Sequence, residues 1–100
     1  MSTSLPEKVE CINPNTGRHM QIDASTYALF AKAIRHALKG GKLISYTEMV
    51  EAVRDYFKKQ AVSFSGSVGW YTVTVKKDMQ ASGLIEVITD KGRTMHRLSK

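Results

Sequence analysis

Residues 66–77 read GSVGWYTVTVKK, and the architecture of the chain turns on whether they form a strand or a helix. As a strand, Tyr71, Val73 and Val75 line one face, with Trp70, Thr72, Thr74 and Lys76 on the other. That is the period-two pattern of a half-buried sheet element. As a helix, Val68, Tyr71, Val75 and Met79 fall on one stripe at the spacing of a buried helical face. Valine and threonine are mediocre helix formers, each costing roughly a few tenths of a kcal/mol relative to alanine.

The residues that follow decide between the two. Asp78-Met79-Gln80-Ala81-Ser82 does not alternate, and Gly83 is placed to close a helix in the left-handed conformation. A strand over 70–76 leaves about one helical turn before that glycine. A helix over 67–82 takes Ser65 or Ser67 as its N-cap, Gly83 as its stop and the apolar stripe as its buried face. Tertiary burial commonly overrides weak propensity, and we read a helix.

Downstream, LIEVI is rich in strand formers, TDKG in turn formers, and RTMHRL alternates again, which predicts a hairpin over 84–98. Upstream, KQAVSFSGS is a linker in which Phe64 turns toward the core. Before it, Ser45-Tyr46-Thr47-Glu48 matches a capping box, with serine and glutamate answering free amides at a helix start. Met49, Val50, Val53, Tyr56 and Phe57 give the apolar stripe of a helix over 46–59. Leu43 and Ile44 suit a very short strand.

Earlier still, Asp23 or Ser25 offers a cap for a helix over 24–39. Tyr27, Phe30, Ile34 and Leu38, with Ala31 and Ala37, face inward, while Lys39 and Gly40-Gly41 end it. Val9, Cys11, Met20 and Ile22 flank the turn-forming NPNTG, so residues 8–22 read as a hairpin with strands near 8–12 and 18–22. Residues 1–7 are polar and expected to fray as a flexible N-terminus. Tyr27, Phe30, Tyr56, Phe57 and Phe64 are assigned to the core. No period repeats along the chain, and no segment is of low complexity.

The totals limit the function classes. One hundred residues with 42% apolar side chains suit a single domain, here 8–100. No apolar run approaches the roughly 18–20 residues that span a bilayer, and the N-terminus lacks a secretory signal, so a cytoplasmic protein with no membrane contact is expected. Cys11 is the single cysteine; it excludes an intrachain disulfide and reads as a half-buried structural residue. The net charge is +6, and residues 51–100 carry 9 basic and 5 acidic side chains. That balance supports contact with a polyanion without establishing it.

From residue 24 onward the order helix, short strand, helix, turn, helix, strand, turn, strand is that of a winged helix-turn-helix domain. The expected fold class is α+β: three helices plus a C-terminal wing hairpin, preceded by an N-terminal β-hairpin. VKKDMQASGLIEVI, followed by GRTMHRL, resembles the join between recognition helix and wing in many bacterial regulators. Met79, Gly83, Leu84 and Ile85 stand at the packing and turning positions of that join. The chain from residue 8 on, through ECINPNTGR and GSVGWYTVTVKKDMQASGLIE, also resembles a small bacterial family of about this length, known only as a domain of unknown function. That resemblance implies a winged-helix fold and no established activity. One departure from regulators is the connection over 60–66, which is longer than the 3–4-residue turn of a tight helix-turn-helix.

On this reading the third helix enters a DNA groove with Ser67, Trp70, Thr74 and Lys77 outward, along with Val73. Lys91 and Arg93 at the wing tip reach the flanking backbone, and Ser45 and Thr47 meet phosphates at the start of the second helix. The outward face lacks the arginine and asparagine best suited to bidentate base readout, and Asp78 and Asp90 put acid nearby. The leading expectation is a small DNA-binding protein contacting duplex DNA through phosphates, with a transcriptional regulator as its fuller form. The alternative is a protein-interaction or dimerisation module, in which Trp70 or the N-terminal hairpin docks a partner or a second copy. Trp70 has a structural alternative too: packing beneath that hairpin or at a dimer contact. Neither His19, His36 and His96 nor Cys11 falls in a metal-ligand spacing, and no catalytic motif is present. No metal, no cofactor and no enzymatic activity are expected.

Overall fold

The disputed stretch is helical. A computed structural model describes residues 8–12, 19–64 and 66–99. Its elements are β1 (Lys8–Ile12), β2 (His19–Asp23), α1 (Ala24–Ala37), β3 (Ile44–Ser45), α2 (Tyr46–Lys59), α3 (Val68–Ala81), β4 (Ile85–Asp90) and β5 (Arg93–Leu98). The fold is α+β, with three helices and two small antiparallel sheets among the described residues.

The Ser67 hydroxyl starts α3 by accepting from the Trp70 amide at 3.1 Å. Ser65, the other candidate cap, lies outside the described residues, as does the NPNTG turn. At the far end the Gly83 amide donates to the Gln80 carbonyl and the Leu84 amide to the Met79 carbonyl. Gly83 sits at φ +85, so the closure is a Schellman motif with glycine in the left-handed position. Gly66 has a different role. A Cβ there would lie 3.0 Å from the Phe64 ring and 3.2 Å from the Tyr71 ring, so the chain enters α3 only where no side chain intervenes.

The capping box of α2 forms as its spacing predicts. The Glu48 amide donates to Ser45 Oγ at 3.2 Å, and the Ser45 amide donates to the Glu48 carboxylate at 2.9 Å. α1 is shorter than expected. It ends at Ala37, Lys39 lies beyond it, and Arg35 and His36 are the basic residues of its last turn. The Leu38 and Lys39 amides turn back to the Ile34 and His36 carbonyls, and Gly40 and Gly41 carry the chain on at positive φ. Asp23 holds the N-cap position of α1 through its backbone rather than through a side-chain cap bond.

β1 pairs with β2, and β3, β5 and β4 pair in that spatial order. The N-terminal hairpin therefore does not extend the C-terminal sheet. It lies against α3 and α1 and contributes Cys11 and Ile22 to the core. The connection between α2 and α3 is held by aromatic packing. Phe30 lies edge-on to Phe57 and Phe64, each at 5.0 Å, and stacks on Tyr71 at 5.4 Å. Offset and edge-to-face pairs of this kind add about 0.5–1.5 kcal/mol each beyond burial. Phe64 thus pins the long linker by joining α1, α2 and α3. Phe30, Ile34, Leu38, Met49, Val53, Val75 and Met79 are fully buried around it.

Candidate functional site

The residues expected to face a ligand do share one surface of α3. Trp70, Thr74 and Lys77 follow each other at three-and-four spacing, opposite the buried Val75 and Met79. Trp70 is 42% exposed, and its ring lies edge-on to Tyr71 at 4.8 Å. It is not buried beneath the N-terminal hairpin. Val73 and Lys77 are half-buried at the margins of this face.

Several hydroxyls offered by the sequence already have backbone partners. Ser67 Oγ caps α3, Ser45 Oγ caps α2, and Thr74 Oγ1 donates to the Trp70 carbonyl at 2.8 Å. Ser67 and Ser45 act as acceptors in these caps, whereas Thr74 spends its hydroxyl proton within the helix. Thr47 is exposed at the start of α2. The amide end of α2 also carries a carboxylate. Glu48 is held below the usual range by its hydrogen bonds from the Ser45 amide and hydroxyl, with a smaller contribution from the charge of Arg93. Ser45 pairs with Met95, which sets the start of β5 beside the start of α2.

Between β4 and β5 the chain turns through Asp90-Lys91-Gly92-Arg93, with Lys91 at φ 52 and Gly92 at φ 80. Two successive positive φ values define a type I′ turn, whose twist matches a two-residue hairpin loop. It projects Lys91 and Arg93 into solvent. Among the described residues no ion pair engages Lys77, Lys91 or Arg93. Asp78 faces elsewhere, because it accepts a hydrogen bond from the Tyr27 hydroxyl of α1. Burial and that carboxylate push the Tyr27 hydroxyl well above its ordinary range. One acidic objection to the interface therefore falls away. Asp90 remains at the hairpin tip, opposite Arg93.

Sequence reasoning missed a groove beside this face. It has a volume of about 360 Å³ and is lined by Tyr46, Thr47, Val50, Glu51, Arg54 and Gly69. The Tyr46 hydroxyl donates to the Gly69 carbonyl at 2.8 Å and ties the start of α2 to the start of α3. Burial raises the Tyr46 hydroxyl pKa, and the charge of Arg54 opposes that rise. Arg54 belongs to the surface as a further cation. Its signal was present in the sequence, one helical turn past Val50, but a lone arginine on an exposed helix face points to nothing by itself.

Behind α3, Thr72 and Lys76 are buried as well. The buried arc is therefore wider than the Val68, Tyr71, Val75 and Met79 stripe. Lys76 meets the fully buried His96 of β5. Cys11 is 2% exposed, and burial, followed by the charge of Asp78, pushes its thiol up to about 11. Such a thiol stays protonated and packs as an apolar group. Among the described residues no cluster of histidine, cysteine and carboxylate side chains could hold a metal ion. No helix among them is long and apolar enough to cross a membrane.

No curated protein and no solved structure matches the chain. Residues 8–95 match the family described as "Family of unknown function (DUF6958)". That span covers nearly every element described above, and the chain belongs to this family of unknown function.

Proposed function

We propose that the chain is a winged-helix protein that binds duplex DNA, mainly through phosphates, with α3 and the tip of the β4–β5 hairpin. The topology supports the fold half of this reading. β3 lies between α1 and α2, two strands follow α3, and the spatial order is β3-β5-β4, as a three-helix domain with a strand-paired wing requires. The observation that carries the function half is the charge and exposure of α3. Its first turn holds no acidic residue, its outward face presents Trp70, Thr74 and Lys77, and Lys91 and Arg93 extend the basic surface along the wing.

The cations and the amide end of α3 do most of the work. Arg54 adds a fourth cation at the side. Sequence selectivity would be modest, since no arginine on α3 offers paired donors to a guanine edge. A role as a transcriptional regulator would need selectivity from DNA shape or from a second copy.

The test is binding of labelled duplex DNA titrated across salt concentrations. Four phosphate-directed cations predict a slope of log K against log salt of about −3 to −4. Lys91→Asn combined with Arg93→Ala should reduce its magnitude by about 2. No binding at low salt would overturn the reading. The exposed Trp70 beside the groove of Tyr46, Val50 and Gly69 favours a second reading, a protein-interaction or dimerisation surface. It would be supported if Trp70→Ala abolished association with a partner while DNA binding was absent.

A further inference from the structure

Two basic side chains meet where α3 joins the three-stranded sheet. Lys76 Nζ lies 3.0 Å from His96 Nε2, and His96 Nδ1 lies 3.2 Å from the Ile44 carbonyl oxygen. His96 is 0% exposed and Lys76 is 8% exposed. These contacts suit a neutral His96 beside a charged Lys76. A carbonyl can only accept, so Nδ1 carries the proton and donates it to Ile44. Nε2 is then a lone pair, and the Lys76 ammonium donates to it. An imidazolium would set an N–H against the ammonium, placing two cations in contact inside the protein.

We propose that the Lys76–His96 pair is an acid-sensitive latch holding α3 against the β3-β5-β4 sheet, closed while His96 is neutral and released when its imidazole gains a proton. The proposal rests on the fold alone and not on the nucleic-acid reading. Among the described residues no ion pair joins Lys76 or His96 to a carboxylate; Asp78 of α3 accepts from Tyr27 of α1, and Glu10 of β1 is exposed. From α3 the charged groups near the pair are Lys76 itself and Lys77, which adds to the positive field on Lys76. β3 contributes only the Ile44 carbonyl. β4 places Val87 opposite His96, whereas Glu86 bonds Arg97 one register away. Strand alternation puts that ion pair on the other face of the sheet. From α2, Glu48 is capped by Ser45 and acts on Arg93.

Burial, then the Lys76 charge, holds His96 below its ordinary value of 6.5, against a smaller opposing effect of the Ile44 carbonyl. Burial also lowers Lys76. Because the folded His96 value is depressed, the unfolded chain binds more protons just below 6.5. The stability from neutral His96 is therefore complete above that pH and is lost as pH falls toward the folded value.

The experiment is urea unfolding from about pH 7.5 to 5.5, above the range where most carboxylates titrate, followed by the emission of Trp70. The wild type should show an unfolding constant that rises by up to about tenfold per pH unit on the acid side of 6.5. Lys76→Met with His96→Leu should remove that dependence, while His19→Gln and His36→Gln leave it in place. If the double variant does not fold, nitrogen NMR of the wild-type imidazoles decides. A His96 locked as the Nδ1–H tautomer, titrating below 6.5, supports the latch. An Nε2–H tautomer, an ordinary titration, a flat wild-type profile or an unchanged slope in the double variant would overturn it.

Discussion

α2 and α3 are each 14 residues long, and each closes in a Schellman turn, yet they are built on opposite terms. α2 carries its own instructions, with a reciprocal capping box, a narrow apolar stripe and cations in its last turn. α3 has one capping serine, four β-branched residues in succession at 72–75 and a buried face that includes Thr72 and Lys76. The first helix is specified locally. The second is held by what it packs against: the Phe30–Tyr71 stack, the N-terminal hairpin and the His96 contact. The same contrast appears at their amide ends, where Glu48 already occupies the start of α2 and no acid stands in the first turn of α3. Local weakness and a vacant positive end coincide in α3, the helix to which we assign the binding face.

The largest test of that contrast is truncation of the core under α3. Met79→Ala is expected to cost about 2–5 kcal/mol in chemical denaturation, the range for a fully buried methionine. A peptide spanning 66–83 should also show less helix by circular dichroism than one spanning 44–62, because only the second has its stabilising signals within reach. Equal helicity would break the comparison.

The two C-terminal turns give a smaller, reciprocal pair. Gly83 closes α3 at φ +85, whereas Ala61 closes α2 at φ 56. The Ala61 and Val62 amides answer the Lys58 and Phe57 carbonyls in the same pattern. Gly83→Ala should destabilise by about 1–2 kcal/mol, the cost of a left-handed Cβ. Ala61→Gly should stabilise by about 0.5–1 kcal/mol after the added freedom of the unfolded glycine is subtracted. Thermal midpoints moving in opposite directions would confirm the shared geometry.

Thr72 tests the buried polar face of α3. Among the described residues its hydroxyl is buried with no hydrogen-bond partner, so Thr72→Val should raise stability by about 1 kcal/mol. A loss would mean that the hydroxyl has a partner. The smallest effect concerns the amide ends. Glu48→Gln lifts the carboxylate from the start of α2 and should tighten duplex DNA binding by about two- to fivefold at low salt. Unchanged affinity would place the start of α2 outside the interface.

The sequence made α2 legible because its cap, stripe and terminal cations agree with one another. α3 was legible only through its boundaries, Ser67 and Gly83, since its interior supports strand and helix almost equally. The outward Trp70-Thr74-Lys77 stripe followed once the helix was chosen. The burial of Lys76 and His96 did not, because a lysine at the edge of an amphipathic arc reads as solvated and its partner lies 20 residues away. Ser45 and Ser67 were foreseeable as caps, whereas the donation of the Thr74 hydroxyl to the Trp70 carbonyl was not. Tyr46 meeting Gly69 depends on the angle at which α2 crosses α3, and no local pattern encodes that angle.

The most direct measurement of the central claim is an amide NMR titration of the full chain with short duplex DNA at low salt. The account predicts shifts concentrated at Thr47, Arg54, Trp70, Thr74, Lys77 and residues 91–93, with β1 and β2 unmoved and the shifts reversed by added salt. Shifts confined to the N-terminal hairpin, or none at all, would contradict it.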